Sequence, residues 1–427
     1  MARPKHIVID ARNRRSSTGR YTDRLVENLQ KIDKLNKYSI LVEHDDPWKF
    51  KNKNFKPVYC DYPQFSFSPF DQFYFARLLY RLKPDLVHFT MPQQPLFFFG
   101  FRNPWRWMRN KFSLREVEQD VHKGTLSENR SKKTDLSPSA SAELDAPHSS
   151  RQKRSSGCAI VTTTHDLTML KHTRPSRFPA WLHQIGIGLY QFLFWFSHIK
   201  SKKVIVPSKF VAYELARRQP STKSKIIVTY EAADPPIKLK SMAVKGAIKP
   251  FILHVGSPFP HKNLGILIEA FDEIKKTMPD LRLVLAGKVK GQFKKDLKRW
   301  VERSPNKADI VAPGFVNEPE LKWLYENATA YVFPSLSEGF GLPGLEAMAH
   351  NCPVVASDST CLPEIYGNGA EYFDPENLID VTRAIEKVLI SKKVRAELIK
   401  NGQNQLKKYS WAKMAAQTLK IYQNLLK

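Results

Sequence analysis

The sequence predicts an α/β protein built from two doubly wound, parallel-sheet domains that face each other across a cleft. Three observations carry that prediction. Short β-branched runs alternate with helix-spaced apolar patterns through the first half. The same cycle restarts after a Lys-rich stretch, and a late strand ends in a turn crowded with glycine, proline and carboxylates, "SLSEGFGLPGLEAMAHNCPVVASDS". Strands that alternate with helices build a parallel sheet covered on both faces.

In the first domain, 1–235, "HIVIDA" reads as a strand, "GRYTDRLVENLQKI" as a helix, "YSILVEH" as a strand and "LYRLKPDLVHFT" as helix, turn and strand. Between 103 and 157 the pattern collapses into polar, Ser-rich sequence without apolar period, which predicts a long mobile insertion. Order returns with "CAIVTTTHDL", a strand ending at His165 and Asp166, then an aromatic helix, "KKVIVPSKFVAYELAR" and the strand "KIIVTYEAAD". A linker of Lys and small residues, 236–249, marks the boundary. The second domain, 250–408, alternates strand and helix through "PFILHVGS", "LGILIEAFDEIKKTM", "LRLVLAGK", "FKKDLKRWVERS", "DIVAPGF", "EPELKWLYENA" and "TAYVFPS". A last helix, 409–427, is expected to pack back on the first domain.

A chain of 427 residues with 42% hydrophobic content can bury large cores. Its 68 Lys and Arg against 41 Asp and Glu leave a formal charge of +27, so the surface suits polyanions: nucleic acid, anionic lipid or a phosphate-rich substrate. A basic nucleic-acid-binding protein is one reading of that charge. The basic residues are dispersed, however, and no zinc-finger, RRM-type or basic-zipper pattern occurs, so no specific nucleic acid is expected. Four cysteines without paired spacing indicate a reducing, cytoplasmic setting. The opening "MARPKHIVIDAR" passes straight into a strand without an export-type apolar core. "IGIGLYQFLFWF" is shorter than the roughly 20 residues that a span needs. It reads either as an amphipathic helix on an anionic membrane, at the inner face of the cell membrane, or as a buried domain helix.

The quoted turn joins the strand "TAYVFPS" to a helix over 343–350, with Pro343 near the first helical position, where its missing N–H costs nothing. Gly339, Phe340, Gly341 and Leu342 form the turn. Free amides and the positive helix end would point outward there, as a diphosphate requires. Glu346 in the first helical turn and Glu338 before it can both face one ligand. The plainer alternative is that the glycines only shape the turn and that Glu346 complements the helix dipole.

"EGFGLPGLE" resembles the E-x7-E motif of the retaining glycosyltransferases of family 4, which have the GT-B fold of two Rossmann-like domains. The similarity extends through "HVGSPFPHKNLGILIEAF", "LAGK", "PGFVNEPELKWLYENATAYVFPS" and "PEIYGNGAEYFDPEN", and more weakly through "IVIDAR", "TGRYT", "TTHDL" and "VPSKF". It implies a metal-independent hexosyltransferase, mannosyltransferase-like, acting in cell-surface polysaccharide synthesis. The donor would be a GDP- or UDP-linked sugar, and the acceptor a lipid-linked or polysaccharide glycan. The resemblance implies no cofactor beyond that donor. By position, Glu346 would hold the ribose hydroxyls, Glu338 would orient the sugar, and the amides around Gly341 and Leu342 would bind phosphate. Lys262 in "PHKN" matches the lysine that neutralises the diphosphate, with Gly256 and His261 in the same donor loop. His261 stands where the family commonly has arginine. His165 resembles the histidine that contacts the donor sugar, and Asp166 would orient it or cap the next helix. Gly19 matches a glycine-rich loop that approaches phosphate or acceptor, with one glycine where relatives often carry two. Arg12, Arg14, Arg15 and Arg20 crowd that edge, as solvated charge or as receivers of an acceptor's phosphates. A GT-B protein that binds ligand without transfer is the alternative within the same fold.

Overall fold

The computed structural model describes residues 3–427 except 15, 17, 63–65, 67, 99–156, 172–179, 237 and 290. The expected insertion therefore lies outside the described residues apart from Gly157. The N-terminal lobe contains β1 (His6–Asp10), α1 (Gly19–Ile32), β2 (Lys37–Val42), β3 (Phe55–Tyr59), α2 (Pro69–Leu82), β4 (Leu86–Phe89) and β5 (Ala159–Thr163). It continues with α3 (Thr168–Lys171), α4 (Ala180–Lys200), β6 (Lys203–Val206), α5 (Lys209–Arg218) and β7 (Ile226–Val228). In the C-terminal lobe follow β8 (Phe251–Val255), α6 (Leu264–Lys275), β9 (Arg282–Ala286), α7 (Gln292–Arg303), β10 (Ile310–Gly314), α8 (Glu318–Asn327) and β11 (Ala330–Phe333). The chain ends with α9 (Leu342–Ala349), β12 (Val354–Ser357), α10 (Leu362–Tyr366), β13 (Ala370–Phe373), α11 (Leu378–Ile390), α12 (Lys392–Leu406) and α13 (Trp411–Leu425).

Both sheets are parallel throughout, ordered β3-β2-β1-β4-β5-β6-β7 and β10-β9-β8-β11-β12-β13. Each therefore reverses direction of winding once, between β1 and β4 and between β8 and β11. Loops leaving the carboxyl ends of those strand pairs diverge and open a crevice, the position where open α/β sheets bind ligands. The strands are continuous apolar runs, such as Ile7, Val8 and Ile9 at zero exposure, because helices cover both faces.

Local chemistry sets the helix ends near the crevice. Asn317 and Glu320 form a reciprocal capping box at α8, with bonds of 3.0 and 2.8 Å. Ser208 caps α5 by accepting from the Val211 amide at 3.2 Å, and donates to the Gly339 carbonyl of the other lobe at 2.8 Å. Glu364, in α10, accepts from the Lys209 and Phe210 amides at 2.8 and 3.0 Å. A C-terminal-lobe carboxylate thus sits on the positive end of an N-terminal-lobe helix.

The chain crosses between lobes twice. After α12 it returns, and α13 lays Trp411, Met414, Ala415, Leu419 and Tyr422 into one buried cluster with Leu25, Val26 and Leu29 of α1. Its Tyr422 hydroxyl meets His88 Nδ1 at 2.5 Å beneath the sheet.

Candidate active site

The crevice between the lobes has a volume of about 730 Å³, within the usual range for small-molecule sites. Its walls come from the loops after β1, β5, β7, β8 and β11. A cavity of about 1110 Å³ lies at the opposite, amino ends of the first sheet, beside Arg3, Lys37 and Asp85. Ligands of open parallel sheets bind at the carboxyl ends, so the smaller crevice is the candidate.

On the C-terminal side, Gly339, Phe340, Gly341, Leu342, Glu338 and Glu346 all line it. Glu338 and its successors through Gly341 leave β11, and Gly341 adopts a left-handed φ of +89° immediately before α9. The amides of Gly339, Phe340, Gly341 and Leu342 donate to no acceptor among the described residues. Four donors without an acceptor at one helix mouth are the kind of group that an anion can satisfy.

The glycines also serve packing. A Cβ on Gly341 would lie 2.5 Å from the Tyr366 hydroxyl, and one on Gly339 would lie 1.9 Å from the His165 carbonyl oxygen. Gly339 is therefore where the two lobes touch backbone to backbone. The plainer expectation for these glycines, that they shape the turn, holds alongside their position in the crevice wall.

Lys262 closes a short 3-10 turn, Pro260–Lys262, after β8. Its Nζ donates to Glu338 Oε1 at 2.5 Å and lies 4.9 Å from the centre of the Phe333 ring. Gly256 and His261 line the same wall, where His261 stacks on Phe259 at 5.7 Å and its carbonyl accepts from the Leu336 amide at 2.8 Å. Beneath them burial, reinforced by the Lys262 charge, lowers His254 to about 3.

Glu346 faces the other lobe. Its Oε1 pairs with Arg20 from the first turn of α1, and its Oε2 accepts from the Tyr325 hydroxyl at 3.2 Å. Burial pushes Tyr325 far above its ordinary range, so the phenol stays a donor. Arg20 also approaches Asp234 at 4.0 Å, and Asp234 holds Arg24 at 2.7 Å.

His165 lines the crevice from the N-terminal side, and its ring is 9% exposed. The Thr90 carbonyl only accepts, so Nε2 donates to it at 3.0 Å, while Nδ1 meets Glu231 Oε1 at 3.0 Å. Tyr21 supports the ring edge-on at 4.9 Å. Both nitrogens are thus bonded within the protein. Asp166 does not orient this ring; it accepts from the Thr168 amide at 2.8 Å and begins α3. The orienting carboxylate is Glu231, which stood unremarked inside "VTYEAAD".

The N-terminal arginines differ from the expectation of a free basic edge. Arg12 is buried with two bonds to Asp10, at 2.8 and 2.7 Å. Arg14 pairs with Asp23 at 2.5 Å and with Asp46. Their charge is already met by aspartates, because desolvating an arginine there without a partner would be costly. Arg15 lies outside the described residues. Gly19 is buried against the Arg14 carbonyl and is not part of the crevice wall. Among the described residues no three His, Cys, Asp or Glu side chains converge as a metal site requires.

Residues 241–405 match the family model described as "Glycosyl transferases group 1". The match covers less than half of the chain. The chain is 34% identical over 176 residues to the O-antigen chain mannosyltransferase B of Escherichia coli, covering 41% of this chain and 46% of that protein. It is 29% identical over 237 residues to the O-antigen chain mannosyltransferase RfbU of Salmonella typhimurium, covering 54% and 64%. It spans less than two thirds of either relative. In overall fold it superposes on sucrose-phosphate synthase from Thermosynechococcus elongatus with a TM-score of 0.67 at 16% identity, over 99% of both chains. The fold is GT-B, and the matched segment contains the turn from Gly339 to Leu342, Lys262, Glu338 and Glu346.

Proposed function

We propose that the protein transfers a hexosyl group, mannose by the names of its relatives, from a nucleoside-diphosphate sugar to a glycan hydroxyl with retention of configuration. The acceptor is lipid-linked or polysaccharide, and the protein works peripherally at an anionic membrane in the cytoplasm. The observation that carries this reading is the set of unspent amides from Gly339 to Leu342, opening on the crevice beside Lys262 and Glu346.

In this reading the amides bind the diphosphate and Glu346 takes the ribose hydroxyls, which requires Arg20 to leave it. Lys262 keeps two ammonium hydrogens beyond its bond to Glu338 and directs them at the phosphate. It thereby stabilises negative charge as the bond from the anomeric carbon to phosphate oxygen breaks, the kind of stabilisation that dominates group transfer. The acceptor oxygen bonds to the anomeric carbon on the same face, and its proton passes to the departing phosphate oxygen. Glu338 and Glu346 position groups and form no covalent intermediate. His165, fixed by Glu231 and the Thr90 carbonyl, walls the sugar end.

The test is a thermal-stabilisation screen of GDP- and UDP-sugars, followed by transfer with the stabilising donor and analysis of the anomeric configuration of the product. Stabilisation with release of the nucleoside diphosphate supports transfer. Stabilisation without release favours the non-catalytic alternative, an inverted product refutes retention, and a protein indifferent to every nucleotide sugar refutes the site.

A further inference from the structure

Helix α4 was the ambiguous segment of the sequence, and its surroundings settle which face is which. One side packs Leu193, Phe194, Ser197 and His198 into the lobe. Phe194 joins Leu167, Val204, Val206, Val211 and Leu215 in a cluster directly behind the His165 loop. The opposite side exposes Trp181, Ile185, Phe192, Trp195 and Ile199, at 65%, 58%, 46%, 49% and 36%. With Gly188, where an added Cβ would meet nothing within 4 Å, these positions advance by alternate steps of four and three. At about 100° per residue they fall on a single stripe, roughly 27 Å long. Apolar surface of this kind on one helix is far from the scatter of single exposed side chains that any protein shows.

Charge identifies the occupant. Residues 167–230 contain eleven Lys and Arg and one acid, Glu214. That acid is buried, and Lys171 and Arg217 take its oxygens. At the carboxyl end of α4, Lys225 donates to the Ile199 carbonyl at 2.7 Å and Lys200 lies 5.5 Å from the Phe196 ring; Lys202, just after α4, and Lys223, in the same 3-10 turn as Lys225 (Pro220–Lys225), are exposed. A second copy presenting the same face would bring like charges together. Among the described residues no helix is long and apolar enough to cross a membrane. Tryptophan and phenylalanine flanked by lysine match the interface of an anionic bilayer, where rings enter the headgroup region and ammonium groups meet phosphate.

We propose that the Trp181–Ile185–Phe192–Trp195–Ile199 face of α4 docks the protein on an anionic phospholipid surface. The purpose of docking rests on the proposed transfer to a membrane-held acceptor, but the docking itself does not. Because the buried side of α4 packs behind the His165 loop, docking holds the crevice at a fixed height above the lipid, where a lipid-linked acceptor presents its sugar.

The experiment is co-sedimentation of the full chain, without donor, with phosphatidylcholine vesicles and with vesicles that also contain phosphatidylglycerol. Binding should require phosphatidylglycerol and weaken as salt rises. Ile185→Ser combined with Trp195→Ser should lower vesicle affinity more than about tenfold, with an unchanged melting temperature and unchanged nucleotide binding by calorimetry. Lys202→Glu with Lys223→Glu should lower it too and remove most of the salt dependence. Undiminished vesicle binding by the serine variant, or equal binding to neutral vesicles, would overturn the proposal. So would a wild-type dimer in sedimentation velocity that the serine variant converts to monomer without any vesicle binding. If wild-type protein binds vesicles but no nucleotide sugar, the docking stands and the transfer reading falls.

Discussion

Gly339→Ala is the sharpest probe of the way the lobes meet. The added Cβ would stand 1.9 Å from the His165 carbonyl oxygen and 2.9 Å from Asp166 Cβ. Carbon and oxygen in favourable contact keep about 3.3 Å, so the two loops must part by about 1.4 Å. The bond from Ser208 Oγ to the Gly339 carbonyl, 2.8 Å in the parent, is then lost, at about 1 kcal/mol. Each lobe keeps its own core, so the melting temperature should fall by only a few degrees. In the proposed transfer, groups from both lobes act on one sugar, and a displacement of this size costs on the order of a hundredfold in rate. Steady-state turnover with donor and acceptor, measured beside donor affinity and a thermal melt, separates these effects. A Gly339→Ala enzyme that turns over within about twofold of the parent would show that the lobes do not need this contact, and would refute the closed geometry as the reactive one.

Glu346→Gln keeps the shape of the side chain but removes a charge-assisted acceptor, so calorimetry should show nucleoside diphosphate binding weaker by roughly ten- to a hundredfold; unchanged affinity would exclude the ribose role. Lys262→Ala should lower turnover by about a hundredfold or more with a small change in melting temperature, and parallel losses in both would mark the lysine as structural. Burial lowers His88, His198 and His254 to about 3 each. All three stay neutral in the folded protein while the unfolded chain takes up protons below about pH 6.5, so stability should fall on acidification from there until the folded values are reached. Each group contributes a loss of about 1.4 kcal/mol per pH unit in that window. Urea titrations from pH 7 to pH 4 measure the slope, and a flat profile would contradict neutral burial. Glu364→Gln weakens the carboxylate contact with the first amides of α5, and scattering should report a more open envelope if that contact helps to hold the lobes together.

Much of the architecture could be read from the chain because its strands are buried on both sides and therefore uniformly apolar. The helix read from "GRYTDRLVENLQKI" coincides with α1 to the residue. β3 escaped notice for a physical reason: "FKPVY" carries a lysine and a proline, both tolerated because it is an edge strand. The carboxylates of the turn, and Lys262 in the separate loop after β8, were legible as candidates because glycine, proline and charge crowd these short strand-to-helix junctions. Their partners were not. Glu231 lies 66 residues from His165, and Arg20 reaches Glu346 only because the lobes close. The aromatic helix left two readings open since apolar residues surround most of its circumference; only the neighbours of Phe194 and His198 separate its buried side from its exposed one.

The return of α13 to the first lobe has a consequence for biogenesis. Trp411, Met414 and Tyr422 complete a hydrophobic cluster whose other members are translated first. Until α13 has been made and has docked, the earlier-made lobe stays open along α1, with Leu25, Val26 and Leu29 uncovered. Removing α13 would leave that surface permanently bare, so a deletion remote from every candidate site residue should yield an aggregation-prone polypeptide rather than a folded protein with altered turnover.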